Sequence, residues 1–402
     1  MMRGNKNKIN LLILAVLFAC IEPYDYNSID INGDPLLVVD AVLTNEAKVH
    51  NILLSYTYGL GTRDLTTVDG AIVSIESGDG NIVTLTEWQP GNYATASTYE
   101  GIVGESYRLR IKTKNGHEYL STEQTLNAAP PIDSLYGRYL QLPSKESGEL
   151  LNGVQLFIDT DWSDYEVSTF RYVWEETYEW RVPYASSYFW DEKTETAIAR
   201  ATTDLLSVEK CFRGDTSNSL LVGSSLELNK PKLTEFPVHF INEDDPNLAF
   251  KTAVNIKQYA VSTDTYQYYK RLKENNESGG SLFDKQKGNI VGNIEALTDP
   301  QESVMGNFEV SGVSSKLAFF ESRNFLAEGF NIPPLFRGCN ISINGIADSI
   351  PTSDLENYFS SYLSAGKGIW TFDLALGLYV MLPEGCTDCR IQGNIEVPNF
   401  WE

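Results

Sequence analysis

The chain has 402 residues and a formal net charge of −23, a field that repels phosphate backbones and excludes nucleic acid as an expected partner. Aromatic residues make up 12% of it, enough apolar area for packed sheets, and the length suits two domains rather than extended disorder. Three histidines and 54 acidic residues leave few ways to build a histidine-based active centre and make paired carboxylates uninformative by themselves.

Residues 11–19 form an apolar run of nine residues, whereas a helix crossing a bilayer needs about 20. Arg3, Lys6 and Lys8 precede it, which gives a secretory signal: a positive segment followed by a short apolar one. Leu17-Phe18-Ala19-Cys20 then resembles a bacterial lipobox. That resemblance implies cleavage before Cys20 and acylation of its thiol, so residues 1–19 are expected as a signal peptide and 20–35 as a lipidated tether. Acyl chains contribute about 0.8 kcal/mol per buried CH₂ and hold a protein on a membrane with no spanning helix. Loss of residues 1–19 removes three bases and no acid, taking the net charge from −23 to −26. Glu22, Asp25, Asp30 and Asp34 follow the lipobox and resemble the surface-export signal of Bacteroidota lipoproteins, which implies the outer face of the outer membrane.

From Leu36 the pattern becomes short apolar or alternating runs separated by turn residues: 36–43, 51–58, 71–75, 82–85, 93 onward, 104–111 and 118–121. Gly78-Asp79-Gly80-Asn81, Pro90-Gly91-Asn92 and Asn115-Gly116 punctuate them. About seven strands at this spacing predict an immunoglobulin-like β-sandwich over 36–129. Pro130-Pro131 marks the boundary to a larger β-rich domain, 130–402, with strand character at 153–160, 168–180, 251–261 and 316–321. A helical insertion is expected near 263–276: Ser262 is an N-cap, Asp264 complements the dipole, Tyr266, Tyr269 and Leu272 or Lys273 lie near one face, and Glu277-Ser278-Gly279-Gly280 ends it. The chain is therefore expected to be mainly β.

Besides Cys20, the cysteines are Cys211, Cys339, Cys386 and Cys389. An exported chain with four of them is expected to form structural disulfides, with three connectivities open. Cys386-Thr-Asp-Cys389 follows a turn near the C-terminus rather than opening a helix of an α/β fold, so a redox role is not expected. The scattered His50, His117 and His239 offer no zinc-ligand spacing, and neither metal nor cofactor is expected. Trp174, Tyr178 and Trp180, interleaved with Glu175 and Glu176, read either as a sugar-binding aromatic platform with hydrogen-bonding acids or as a strand with alternating faces. Residues 242–247 read as a solvated turn, or as oxygen ligands for calcium without EF-hand spacing. Arg213-Gly214-Asp215 is short enough to arise by chance. Asp133-Ser134-Leu135 and Asp348-Ser349-Ile350 resemble an O-glycosylation motif of exported Bacteroidota proteins.

One series spans the C-terminal half: Ala253-Val254-Asn255-Ile256-Lys257-Gln258-Tyr259-Ala260-Val261-Ser262, Tyr266 to Asn275, Gly280-Ser281-Leu282-Phe283-Asp284, Gly288 to Ile294, Val304-Met305-Gly306-Asn307-Phe308, Cys386-Thr387-Asp388-Cys389-Arg390 and Pro398-Asn399-Phe400-Trp401. With the opening Leu37-Val38-Val39-Asp40-Ala41, it resembles the Bacteroidota outer-membrane lipoproteins grouped as domain-of-unknown-function family 4249, over essentially the whole mature chain. The resemblance implies a companion of a TonB-dependent outer-membrane barrel transporter and carries no catalytic residue. The expected function is non-enzymatic help in nutrient capture or gating. A structural accessory of an outer-membrane complex, or a secreted glycan or peptide hydrolase using Glu175 or Glu176, are the alternatives.

Overall fold

The computed structural model of the chain describes residues 35–57, 66–144, 147–191, 193–194, 196–225, 230–277, 290, 292–333, 339, 348–351, 366–373 and 378–401. The expected signal peptide, Cys20, residues 21–34 of the expected tether and the expected helix stop at 278–280 lie outside the described residues.

The first ten strands are β1 (Leu37–Thr44), β2 (Asn51–Tyr56), β3 (Thr66–Thr67), β4 (Ile72–Ser77), β5 (Ile82–Thr84), β6 (Thr86–Gln89), β7 (Asn92–Ala94), β8 (Ser106–Lys112), β9 (Glu118–Ser121) and β10 (Gln124–Thr125). Beyond Pro130 come β11 (Ser134–Pro143), β12 (Leu150–Asp161), β13 (Thr169–Arg181), β14 (Tyr188–Asp191), β15 (Thr196–Ala199), helix α1 (Thr202–Glu209), β16 (Lys210–Thr216), β17 (Leu221–Ser224) and β18 (Lys232–Asn242). The remainder is β19 (Lys251–Ala260), helix α2 (Thr263–Glu277), β20 (Ile294–Ala296), β21 (Met305–Glu321), β22 (Asp348–Pro351), β23 (Lys367–Asp373) and β24 (Leu378–Pro383). The protein is mainly β, as its turn-punctuated alternation requires.

A ten-stranded sheet runs β16-β13-β19-β21-β1-β2-β7-β6, with β17 on β13 and β3 on β2. Its spine is the 17-residue strand β21. The first half of β21 pairs in parallel with β1, from Val38 opposite Met305 to Thr44 opposite Ser311, and its second half pairs antiparallel with β19, from Ala260 opposite Gly312 to Lys251 opposite Glu321. One strand thereby serves two cores. Around β1 the sheet packs on the six-stranded sheet β20-β9-β8-β4-β5, with β10 on β8, and around β13 it packs on the three-stranded sheet β11-β12-β18.

The first core is consequently not built from 36–129 alone. Ile294, Ala296, Val304, Phe308 and Val310 from the second half are buried among Leu37, Val39, Leu54, Ile75 and Leu109, and β20 extends β9 at the sheet edge. The boundary at Pro130-Pro131 misses this return because it rests on pairings between segments distant in sequence, β1 with β21 and β9 with β20, which no local pattern announces. At that boundary the Pro130 carbonyl accepts from Gln258 Nε2 at 2.8 Å and Ser314 Oγ at 2.6 Å, pinning the crossover to β19 and β21.

Two of the quoted sequence blocks meet here for a physical reason. Asn293 lies beside Phe308 and exchanges both hydrogen bonds with its backbone: Phe308 N donates to Asn293 Oδ1 at 2.8 Å and Asn293 Nδ2 donates to Phe308 O at 2.9 Å. Gly306, at φ +106°, passes so close to β1 that a Cβ there would sit 1.9 Å from Val39 O. Only glycine satisfies both the left-handed backbone and that approach.

Helix α2 starts as its sequence requires: Ser262 Oγ accepts from Thr265 N at 3.2 Å, with Asp264 in the first turn. It lies across a buried ion pair, in which Arg171 on β13 donates Nε and Nη2 to Glu309 on β21, each at 2.8 Å. Ser311 Oγ also donates to Glu309, and the guanidinium lies 4.0 Å from the Tyr259 ring centroid and 5.4 Å from that of Tyr269. Glu309 is fully buried, yet its carboxyl is held below the usual range because the Arg171 charge and these donors outweigh burial. Helix α1 carries no sequence signal comparable to that of α2: it has eight residues, and Ala201 ahead of it offers no side-chain cap.

Candidate functional site

The five candidates Trp174, Glu175, Glu176, Tyr178 and Trp180 all lie on β13, where successive side chains alternate between faces. The structure does not bring them into one patch. Trp174, Glu176, Tyr178 and Trp180 face inward. Trp174 stacks on His239 with ring centroids 3.8 Å apart, Glu176 Oε2 meets His239 Nε2 at 2.9 Å, and Asn247 Nδ2 donates to Glu176 Oε1. Tyr178 and Trp180, 5% and 6% exposed, pack against Cys211 and Cys389. Burial of the aromatic rings has won over a platform role, because the even positions of β13 are the core positions. Glu175 and Glu176, on opposite faces, do not flank a common space as the two carboxylates of a glycosidase do.

Glu175 points the other way, onto the open face of the ten-stranded sheet. There its Oε1 lies 2.8 Å from Lys257 Nζ and its Oε2 accepts from Asn255 Nδ2 at 3.1 Å. Burial opposes the Lys257 charge, but contact with the Glu175 carboxylate outweighs it and raises the ammonium pKa above its ordinary value. Asn255, Lys257 and Tyr259 occupy the odd positions of β19, while Val254, Ile256 and Gln258 are buried on the other side. Thr177, Ala253 and Leu317 continue the floor, and Phe400 closes one end of a trough of about 230 Å³.

The wall formed by Phe400 belongs to the C-terminal tail, and the disulfides explain its position. Cys211 bonds Cys389, and Cys339 bonds Cys386. The two cysteines of the Cys-Thr-Asp-Cys stretch therefore have separate, distant partners and do not pair with each other. The Cys211–Cys389 bond ties the tail to β16. Gly393 then passes so near that a Cβ would sit 2.8 Å from Cys211 Cβ. Asn394 makes a two-bond bridge to the edge of β16, with Phe212 N donating to Asn394 O at 2.7 Å and Asn394 N donating to Phe212 O at 2.9 Å. Trp401 finally rests against Phe212 and Phe319, at 4.8 and 5.6 Å between centroids.

Because Phe212 turns its N–H and C=O outward to the tail, Gly214, two residues on, also presents its backbone groups outward. Gly214 is exposed, on the strand that ends this order of the sheet. A groove of about 350 Å³ runs beside it, between Phe212-Arg213-Gly214 and residues 396–399 of the tail. Ile395, Val397, Phe400 and Leu317 add exposed apolar surface nearby. The Arg213-Gly214-Asp215 triplet lies in strand β16, with the Arg213 guanidinium 4.7 Å from the Trp180 ring centroid, not at a loop tip.

Glu175 stands out in the sequence, whereas Asn255 and Lys257 as its partners and the tail as a wall emerge only in the fold. The alternation of 253–259 contained the signal for the first two; the tail depended on which cysteine pairs with which. In the 242–247 turn, Glu243 accepts from the Tyr139 hydroxyl and Asn331, and no group of three metal-ligating acids, histidines or cysteines occurs among the described residues.

No curated protein matches the chain. Among solved structures, the crystal structure of trypsin-activated alpha-2-macroglobulin from Escherichia coli is similar at 10% identity, covering 57% of this chain and 15% of that one with a TM-score of 0.16. The aligned region is thus a small part of that protein, and a score so low carries no argument about fold or activity. The model of a family described as "domain of unknown function (DUF4249)" matches residues 21–317, the span that contains β1, the β13–β19 face and the whole first half of β21, and the chain belongs to that family.

Proposed function

We propose that the protein is a non-enzymatic lipoprotein, anchored through Cys20 to the outer membrane and facing the cell exterior, that docks on a TonB-dependent barrel transporter and assists nutrient capture or gating. The observation that carries the docking part is the open edge of β16 at Gly214, beside the tail groove and the trough at Glu175. An unpaired strand edge is a template for another chain, and extended segments bind such edges through main-chain hydrogen bonds while neighbouring pockets take alternate side chains. The Asn394 bridge already uses one position of this edge in that way. In the trough, the Glu175 carboxylate and the Lys257 ammonium engage each other, an arrangement suited to recognition on a polar floor with apolar walls rather than to proton transfer. The lipobox and the acids after it supply the anchor and address.

The test is a mild-detergent pull-down of the tagged native protein from outer membranes, with mass spectrometry of what stays bound. A stoichiometric TonB-dependent barrel is expected. Recovery of the lipoprotein alone contradicts the reading. Cys20→Ala is expected to release the protein from the membrane fraction, and unchanged membrane retention would refute the anchor.

A further inference from the structure

A second cavity, of about 340 Å³, lies away from the β13–β19 face, between the β14–β15 hairpin, strand β23 and the turn that carries Cys386. Its walls are fixed from several directions. Ser187 N donates to Trp370 O at 2.7 Å, Ser186 N donates to Thr387 O at 2.9 Å, Ser186 Oγ donates to Ile369 O at 2.5 Å, and the Cys339–Cys386 bond closes the turn.

Two charged side chains in this cavity make no side-chain hydrogen bond or ion pair among the described residues. Arg200 is positioned by its own backbone, whose N–H donates to Ser187 O at 2.8 Å, and its guanidinium lies 5.2 Å from the Phe189 ring centroid. Its Nε is buried without a hydrogen bond, and the guanidinium makes no ion pair among the described residues. Burial and the nearby Arg390 charge lower its pKa, so the site gains from a further anion. Glu384 lines the same cavity, half-buried, and its carboxylate likewise has no hydrogen bond or ion pair among the described residues. The other acid, Asp388, is already committed to Arg390, at 2.9 Å to Nε and 2.5 Å to Nη2. Phe189, Trp190 and Ile391 supply apolar wall between them.

One unpaired cation and one unpaired carboxylate in a single aromatic-walled cavity call for a ligand that carries both charges. We infer that this cavity binds a zwitterion with an apolar side chain, a free α-amino acid or one of similar chemistry, with its carboxylate on Arg200, its ammonium on Glu384 and its side chain against Phe189 and Trp190. A guanidinium with open donors suits a carboxylate, and the volume lies at the lower end of small-molecule sites. The inference names what the protein would capture and does not depend on docking to a barrel, so purified mature protein tests it alone.

The experiment is calorimetric titration of the purified chain with L-phenylalanine, N-acetyl-L-phenylalanine, which keeps only the carboxylate, and phenethylamine, which keeps only the ammonium. Saturable binding of phenylalanine is expected, with each singly charged analogue at least about tenfold weaker, as loss of one charge-assisted hydrogen bond implies. Arg200→Gln is expected to weaken phenylalanine and N-acetylphenylalanine and leave phenethylamine unchanged; Glu384→Gln is expected to do the converse. This crossed pattern separates a lost contact from a damaged fold, which would weaken all three. Absence of saturable phenylalanine binding, equal affinity for the three compounds, or a uniform effect of either variant would overturn the inference.

Discussion

His50 carries the clearest pH dependence at the residue scale. It is 2% exposed, meets Thr44 Oγ1 at 3.1 Å and stands edge-on to Tyr99. Burial, helped by the Lys48 charge, pushes its pKa down to about 4. A base whose folded pKa lies below its unfolded value of 6.5 takes up protons preferentially in the unfolded chain between those two values. Stability is therefore expected to fall by on the order of 2 kcal/mol as pH drops from 6.5 towards 4. His50→Gln should remove that part of the slope, and urea unfolding of both proteins at pH 7 and pH 4.5 measures it; parallel slopes would contradict the assignment. The Arg171–Glu309 pair works in the other sense: its strength lies in completeness. Arg171→Met leaves a buried carboxylate and is expected to cost about 3–5 kcal/mol, while adding Glu309→Leu should recover most of the loss. Equal destabilisation in single and double variants would show that packing, not charge, holds the site.

At the scale of elements, the tail behaves as a strap whose position is set by one covalent bond and one glycine. The Cys211–Cys389 bond closes a separation of 178 residues, for which the chain-entropy account gives about 5 kcal/mol, an upper figure. Cys211→Ser together with Cys389→Ser is expected to lower the melting temperature and to expose Trp401, read as a red shift in fluorescence. Gly393→Val should displace the tail while leaving the disulfide formed, because the new side chain enters space held by Cys211 Cβ and Phe212 O. A melting temperature unaffected by loss of the disulfide would remove the strap from the account.

The whole molecule rests on β21. Local patterning made β1, β2, β4, β8, β12, β13, β19 and the capped helix α2 legible, since each shows its own period or punctuation. What stayed hidden depends on partners distant in sequence: the parallel β1–β21 ladder, the return of β20 to β9, and the pairing of Cys211 with Cys389. The same limit applies to the site. Glu175 was visible as a candidate, but whether Trp174, Tyr178 and Trp180 accompanied it depended on which face of β13 met the second core. The fragment 36–129 is expected to remain unfolded alone, because it lacks Val304, Phe308 and Val310 and leaves β1 without its parallel neighbour. Linking residues 292–312 to it should restore cooperative unfolding, and a stable fold of 36–129 by itself would contradict the shared-spine architecture.

The most direct test of the central claim is site-specific photo-crosslinking in intact outer membranes, with the reactive side chain placed at Asn255 or Phe400 in the trough, or at Ile72 in the first sandwich. An adduct with a TonB-dependent barrel is expected from positions 255 and 400 and none from position 72. Barrel adducts absent from the trough positions, or formed equally from all three, would contradict docking through this face.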